Sequence, residues 1–211
     1  MMQLPLQVHV PELVVLTGPM FSGKSSELIR QMRLAGHARL NVITFKPSRD
    51  NRVKEAMIDT HDGGLFKVTV INKAREIYDY VSKTLEPGSH VWVAFDEVQL
   101  FEDIAEAYQV IIELVESGRR VLVAGLDNDF LGVPFELIKL LMPYAQVVTK
   151  MHSVCEVCGS FNGSRSQRLS EGTQRILVGG KKDYSARCLL HFDPLNKKTR
   201  TDEPWLKKPA P

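Results

Sequence analysis

Between the apolar run Leu13-Val14-Val15-Leu16 and a stretch of helical periodicity from Ser25 to Leu34 lies the segment Gly18-Pro19-Met20-Phe21-Ser22-Gly23-Lys24-Ser25. No other part of the chain restricts its fold so tightly. The segment fits G-x-x-x-x-G-K-[ST], in which the glycines permit a tight loop whose backbone N–H groups converge on phosphate oxygens. The helix that follows adds the partial positive charge of its N-terminus. In this pattern Lys24 reaches the β/γ-phosphates and the Ser25 hydroxyl ligates Mg²⁺. The competing reading is a chance match in a glycine-containing turn; a strand before and a helix after are the context that separates the two.

That context recurs along the chain. Asn41 to Phe45, His90 to Phe95 and Arg120 to Ala124 read as strands. Ala74 to Leu85, Ile104 to Glu116 and Pro134 to Met142 carry helical spacing. Strands separated by helices imply βαβ units and a parallel sheet covered on both faces. Ligands in such sheets sit beyond the carboxyl ends of the strands. Three strand ends carry chemically suggestive segments there: Gly18 to Ser25, Asp96 to Gln99, and Gly125 to Phe130.

The run Val91-Trp92-Val93-Ala94-Phe95 ends in Asp96-Glu97. An apolar strand closed by an acid has the form of a Walker B element, whose Asp helps to hold Mg²⁺. Glu97 is then a candidate general base, able to accept a proton from an attacking hydroxyl. The bland alternative is an N-cap pair at a strand-to-helix turn.

With 211 residues, 44% hydrophobic and 25% charged, the chain has globular composition and allows one domain with a small appendage. Lys and Arg total 27 against 25 for Asp and Glu, and a net charge of +2 gives no large positive field for a duplex-DNA binder. No apolar run approaches the ~20 residues that span a bilayer. Met1 to Val10 lacks the basic n-region and long apolar core of a signal peptide. Three cysteines, an odd number, suit reduced thiols and a cytoplasmic location better than a disulfide framework.

All three cysteines lie in residues 152–192, a segment rich in Gly, Ser, Arg and Lys and too small to hold a shape without a staple. Cys155-x-x-Cys158 and Cys188-x-x-His191 stand 29 residues apart. Two such pairs suit a tetrahedral Zn²⁺ with three thiolates and one imidazole, a closed site whose role is folding. The alternatives are unligated thiols or a redox C-x-x-C. If metal ties its ends together, the intervening loop can fold over a substrate as a lid. The expected division is residues 11–150, an α/β ATP-binding domain; 151–192, a zinc-binding domain; and 193–211, an irregular tail with four prolines.

Taken together these elements resemble the type II thymidine kinases. The resemblance runs from about Leu13 to His191. It includes Lys46-Pro47 with Asp50-x-Arg52, Thr60-His61-Asp62-Gly63, Asp96-Glu-x-Gln-x-Phe101, Gly125-Leu-Asp-x-Asp-Phe130, Pro134-Phe135, Arg165-x-Gln-Arg168, and Gly179-Gly180 with Tyr184, besides the phosphate loop and the cysteine pairs. It implies a P-loop, RecA-like parallel sheet flanked by helices, plus a small zinc domain whose lasso loop closes over the nucleoside. It implies ATP-dependent phosphorylation of the 5′-hydroxyl of thymidine, in nucleotide salvage for DNA synthesis. It also implies a cytoplasmic homotetramer inhibited by thymidine triphosphate.

The resemblance assigns residues as well. Glu97 falls on the catalytic base. Gly18, Pro19, Met20, Phe21, Ser22, Gly23, Lys24, Ser25, Asp96, Glu97 and Gln99 fall on ATP-binding positions, with Ser25 and Asp96 toward magnesium. Met20, Asp62, Phe101, Leu126, Phe130, Phe135, Ser166, Val178, Gly179, Gly180 and Tyr184 fall on substrate positions. Without the resemblance, the aromatics among them read as core. Two departures stand out: Gly163-Ser-Arg-Ser-Gln-Arg168 replaces Ala-Thr-Arg-Thr-Gln-Arg of bacterial members, and His191 replaces a cysteine of some members. A pocket lined by backbone tells thymine from a pyrimidine lacking the methyl by only about 1–3 kcal/mol, so deoxyuridine is an expected second substrate.

Two other functions compete. One is a P-loop kinase acting on a different small molecule. The other is a nucleic-acid-associated ATPase, suggested by Arg165, Arg168, Arg175, Lys181, Lys182 and Arg187 in the zinc segment. The kinase reading requires Lys24 and Glu97 to share one hollow.

Overall fold

The computed structural model describes residues 10–50, 57–59, 65–84, 91–172 and 174–194. Its centre is a six-stranded parallel sheet. In chain order the strands are β1 (Glu12–Gly18), β2 (Asn41–Pro47), β5 (Thr69–Ile71), β6 (Val91–Phe95), β7 (Arg120–Leu126) and β8 (Val147–Lys150), arranged β5-β2-β6-β7-β1-β8. One strand, β7, stands between β1, which feeds the phosphate loop, and β6, which ends in Asp96. That insertion is the arrangement of a RecA-like sheet. A short antiparallel pair, β3 (Met57–Asp59) with β4 (Leu65–Lys67), precedes β5.

Alternation along β1 shows why the sheet is covered on both faces. Leu13 and Val15 point to one side and Val14 and Leu16 to the other, and none is more than 2% exposed. The first side packs on α2 (Arg75–Thr84), α3 (Ile104–Glu116) and α4 (Glu136–Tyr144), through Ile77, Val110, Ile111, Leu114, Leu137 and Leu141. The second packs on α1 (Lys24–His37) through Leu28, Ile29 and Met32, with Leu122 and Ala124 of β7 beneath. Strands buried on two faces must be apolar throughout, and that property made β1, β6 and β7 readable.

The helices extend or shift the expected bounds. Helix α1 runs to His37 rather than Leu34. Helix α4 begins at Glu136 and continues to Tyr144 past Pro143, which sits in its last turn. The expected residues His90 and Leu85 lie outside the described residues. Strands β5 and β8 were not expected. All four residues of β8 are exposed, so it lacks the apolar signature of a buried strand.

Beyond Lys150 the chain forms a two-stranded antiparallel hairpin, β9 (Arg165–Arg168) with β10 (Tyr184–Arg187). It is joined to the sheet end through Met151, whose N–H donates to the Thr17 carbonyl at 2.7 Å. Gly18 is what allows that approach: its φ is +143°, and a Cβ there would collide with the Met151 carbonyl oxygen. Among the described residues, no helix is long and apolar enough to cross a membrane.

Gly125, near the end of β7, is a second close packing point between sheet and site. A Cβ there would lie 2.8 Å from Gln99 Oε1, 2.9 Å from Val98 Cγ2 and 3.1 Å from Ile138 Cδ1. Gly125→Ala is therefore expected to destabilise the fold by about 1–3 kcal/mol through overpacking. A urea transition with its midpoint lowered and its slope unchanged would bear this out; an unshifted midpoint would contradict it.

Candidate active site

The phosphate loop leaves β1 at Gly18 and enters α1 at Lys24, with Gly23 as N-cap at φ 80°. Phe21 also adopts the left-handed region, at φ 63°. Lys24 is 7% exposed; its ammonium donates to the Pro19 carbonyl at 2.6 Å and to Ser22 Oγ at 3.3 Å. The Ser22 hydroxyl in turn donates to the Pro19 carbonyl at 2.8 Å. The loop thus carries its cation folded inward, held by its own backbone.

Across β7, the Ser25 hydroxyl donates to Asp96, 3.0 Å from Oδ2 and 3.2 Å from Oδ1. This bond ties the start of α1 to the end of β6. Asp96 is 4% exposed, and Glu97, at the N-cap position of the following 3-10 turn, makes no side-chain capping bond. Nor does the acidic pair cap the next full helix: α3 is capped by Asp103, whose carboxylate accepts the Glu106 N–H at 2.9 Å.

Glu97 is half-buried and sits at φ 54°, ψ 40°, in the left-handed region. For a non-glycine residue this costs on the order of 1–3 kcal/mol and persists only when the surroundings fix it. Gln99 is one fixing group. Its amide nitrogen donates to Glu97 Oε2, and its amide oxygen accepts the Leu126 N–H at 3.0 Å. Gln99, read from sequence as an ATP contact, thus joins Glu97 to the end of β7.

A cavity of ≈ 430 Å³ opens beyond these strand ends. It is lined by Met20 to Ser25, Asp96, Glu97 and Gln99 on the phosphate side, so Lys24 and Glu97 share one hollow. Leu126, Phe130, Phe135, Ser166, Val178, Gly179, Gly180 and Tyr184 also line it. Ser166 is brought in by β9 and accepts the Met20 N–H at 3.0 Å.

Not every expected residue is there. Gly18 and Pro19 do not line the cavity; Gly18 serves the Met151 contact and Pro19 supplies the carbonyl that Lys24 holds. Phe101 lies in the core cluster with Val98 and Ile111, because the 3-10 turn Val98–Leu100 sends Gln99 and Leu100 to the cavity and the next residue inward. Asp62, Arg52 and the tail beyond residue 194 lie outside the described residues. The cavity also receives Asp50, Asn128, Asp129, Arg175, Ile176 and Leu177, which sequence reasoning did not select as site residues. Asp50 forms a buried ion pair with Lys46, at 3.6 Å.

The cysteine cluster assembles as the spacing implied. Ligand atoms of Cys155, Cys158, Cys188 and His191 all lie within 4.8 Å of one another. Cys158 Sγ and Cys188 Sγ are 3.9 Å apart, and His191 Nδ1 is 3.3 Å from Cys188 Sγ and 3.7 Å from Cys155 Sγ. A zinc tetrahedron with Zn–S of ~2.3 Å has S···S edges of ~3.8 Å, so the donors fit this metal. Burial pushes the Cys155 thiol up, but the N–H groups of Cys188, Cys158 and Val157 outweigh it and pull it down to about 5. At Cys158 the Ser160 N–H pulls down, yet desolvation and the neighbouring Cys155 and Cys188 sulfurs outweigh it and raise the value. Crowded sulfurs that resist full ionisation together are what a shared cation relieves.

The chain matches the model of the family described as "Thymidine kinase" over residues 11–192. A thymidine kinase from Bdellovibrio bacteriovorus is 43% identical over 180 residues, covering 85% of this chain and 84% of that protein. Two solved structures resemble it remotely. They are C. elegans PCH-2 (TM-score 0.41, 16% identity, 68% of this chain and 36% of that one) and the genome packaging NTPase B204 from Sulfolobus turreted icosahedral virus 2 in complex with ATP-gammaS (TM-score 0.41, 12% identity, 67% and 75%). Neither score bears on function. With its sequence match running from β1 through the last cluster ligand, the chain belongs to the thymidine kinase family.

Proposed function

We propose that the chain transfers the γ-phosphoryl group of ATP to the 5′-hydroxyl of thymidine, and of deoxyuridine, as a salvage step for DNA synthesis. The observation that carries this is one cavity lined both by Lys24, Ser25, Asp96 and Glu97 and by Phe130, Phe135 and Tyr184. The charged and polar groups suit phosphates and the aromatic ones a flat base.

Phosphoryl transfer needs mainly positioning and neutralisation of charge. The loop N–H groups and Lys24 serve the phosphates, Lys24 exchanging its bonds to Pro19 and Ser22 for phosphate oxygens. Ser25 and Asp96 are the residues that would hold Mg²⁺, which supplies further neutralisation of the phosphates. Glu97 accepts the proton of the 5′-hydroxyl. The Gln99 amide, which donates to Oε2, aims the carboxylate for that transfer. Residues 175–180, which line the same cavity, shield the reaction from bulk water.

The same reading has further elements. The division into residues 11–150 and 151–192 rests on the change of composition near residue 150, and zinc at Cys155, Cys158, Cys188 and His191 on the ligand spacing and the gathered donor atoms. The homotetramer and inhibition by thymidine triphosphate rest on likeness to the family, and the cytoplasmic location on that likeness and the odd cysteine count. The rival reading as a nucleic-acid ATPase draws no support from Arg168 and Arg175. Arg168 is 3% exposed and stacked on Phe130, and Arg175, though half-exposed, is already paired with the buried Asp129. Binding to oligonucleotides with stimulated ATP turnover would revive it.

A panel of thymidine, deoxyuridine and deoxycytidine with labelled γ-phosphate tests the assignment. Thymidine is expected to be phosphorylated best, with deoxyuridine lower in kcat/KM by roughly 10–200-fold, the value of one buried methyl. Absence of thymidine monophosphate beside phosphorylation of another acceptor would refute it. Glu97→Gln is expected to lower kcat by roughly 10²–10⁴-fold with both substrates still bound. Near-normal kcat in that variant would remove Glu97 from the role of base. Purified protein is expected to contain one zinc per chain, and chelation to make residues 155–191 protease-sensitive. Unchanged cleavage after metal loss would contradict a folding role.

A further inference from the structure

Arg175 to Gly180 line the cavity, and they belong to a strap, residues 174–180, gripped by two guanidinium groups. Beneath it, Arg168 of β9 donates to the carbonyls of Gln174 and of Arg175, the latter at 3.3 Å, and to the Tyr184 hydroxyl at 2.8 Å. Its guanidinium lies 3.7 Å from the centroid of the Phe130 ring. The Tyr184 hydroxyl donates in turn to the Leu177 carbonyl at 3.0 Å. These contacts fix the root of the strap to the hairpin that carries it.

The second grip crosses to the parallel sheet. Arg175 leaves the strap and reaches the turn between β7 and α4. There Nε donates to Asp129 Oδ2 at 2.8 Å, and NH2 donates to the Pro134 carbonyl at 2.7 Å. The guanidinium lies 5.1 Å from the Phe135 ring centroid. Asp129 is oriented in advance: Oδ1 accepts the N–H groups of Leu131 and Val133, each at 2.9 Å, so Oδ2 meets the strap. The Asp129 side chain is 2% exposed, whereas that of Arg175 is 48% exposed. A fixed, buried carboxylate thus faces a long cation rooted in a loop. Asp129 precedes Phe130 in the chain and Arg175 lies over Phe135, and all four residues line the cavity.

We propose that Arg175 is a positioning residue: its ion pair with Asp129 clasps the 174–180 strap onto the β7–α4 turn and sets the affinity for the nucleoside. This rests on reading the cavity as the nucleoside site. Thymidine is uncharged, so salt has little direct effect on its binding. The half-exposed pair is screened by salt, so a salt dependence of thymidine KM reports the clasp. Opening the strap releases nucleoside without moving Glu97 or Lys24, so KM responds more than kcat.

The test uses the full chain and four variants: Arg175→Met, Arg175→Lys, Asp129→Asn, and Arg175→Met combined with Asp129→Asn. Asn retains the Oδ1 acceptor and loses the charge, so the turn keeps its internal bonds. Thymidine kcat and KM are measured at saturating ATP in low and high salt. Amide hydrogen exchange across residues 174–180 is measured without nucleoside. We expect thymidine KM to rise roughly threefold to tenfold in Arg175→Met and in Asp129→Asn, the range of a rim-exposed ion pair with one buried partner. The double variant should be no worse than the worse single one, and Arg175→Lys should recover part of the loss. Strap amides should exchange several-fold faster in the Met and Asn variants, and only the chain with an intact pair should show a KM that climbs with salt. Unchanged strap exchange, or additive losses in the double variant, would overturn the clasp. If the wild-type chain phosphorylates no thymidine while exchange still rises in the variants, the functional reading fails and the clasp stands.

Discussion

The hydrogen bond from the Ser25 hydroxyl to the Asp96 carboxylate is the joint on which the site depends. It spans the width of β7, because the strand feeding the phosphate loop and the strand carrying the acids are not neighbours. Only a parallel sheet puts both of their carboxyl ends on one edge. Only strands buried on two faces hold that edge rigid enough to keep a hydroxyl and a carboxylate in register. Gly18 and Gly125 mark where this rigidity leaves no space for a side chain: one lets the Met151 backbone pass, and the other admits the Gln99 amide beneath Leu126.

Gln99 shows how a positional role differs from a chemical one. Its amide is neutral, so it aims the Glu97 carboxylate without adding a charge to it. The left-handed backbone of Glu97 is held by the same neighbourhood, since the turn Val98–Leu100 begins there and Gln99 ties it to β7. Strain at the base is thus carried by β6 and β7, the two strands at the middle of the sheet.

Much of this was legible in the sequence because it is local. The phosphate loop, the acidic strand end and the paired cluster ligands are short-range patterns whose chemistry follows from spacing alone. What was not legible is long-range or lacks periodicity. Strand β8 is exposed on all its residues and, among the described residues, pairs with β1 alone, so no apolar alternation marks it. Phe101 and Leu100 are adjacent aliphatic and aromatic residues, and only the 3-10 turn decides which one meets the cavity. The Arg175–Asp129 pair joins residues 46 apart in sequence, from two structural elements that meet only when the hairpin docks. In the sequence, Arg168 and Arg175 resemble members of a basic patch. In the fold, one supports the strap and the other fastens it.

The most direct test of the account is a crystal structure of the chain with thymidine and a non-hydrolysable ATP analogue bound together. The account predicts the 5′-oxygen within ~2.6–3.2 Å of the Glu97 carboxylate, hydrogen-bonded to it, with Lys24 on the terminal phosphates and the base beneath residues 174–180. A nucleoside whose 5′-oxygen points away from Glu97, or a triphosphate seated away from Lys24, would contradict it.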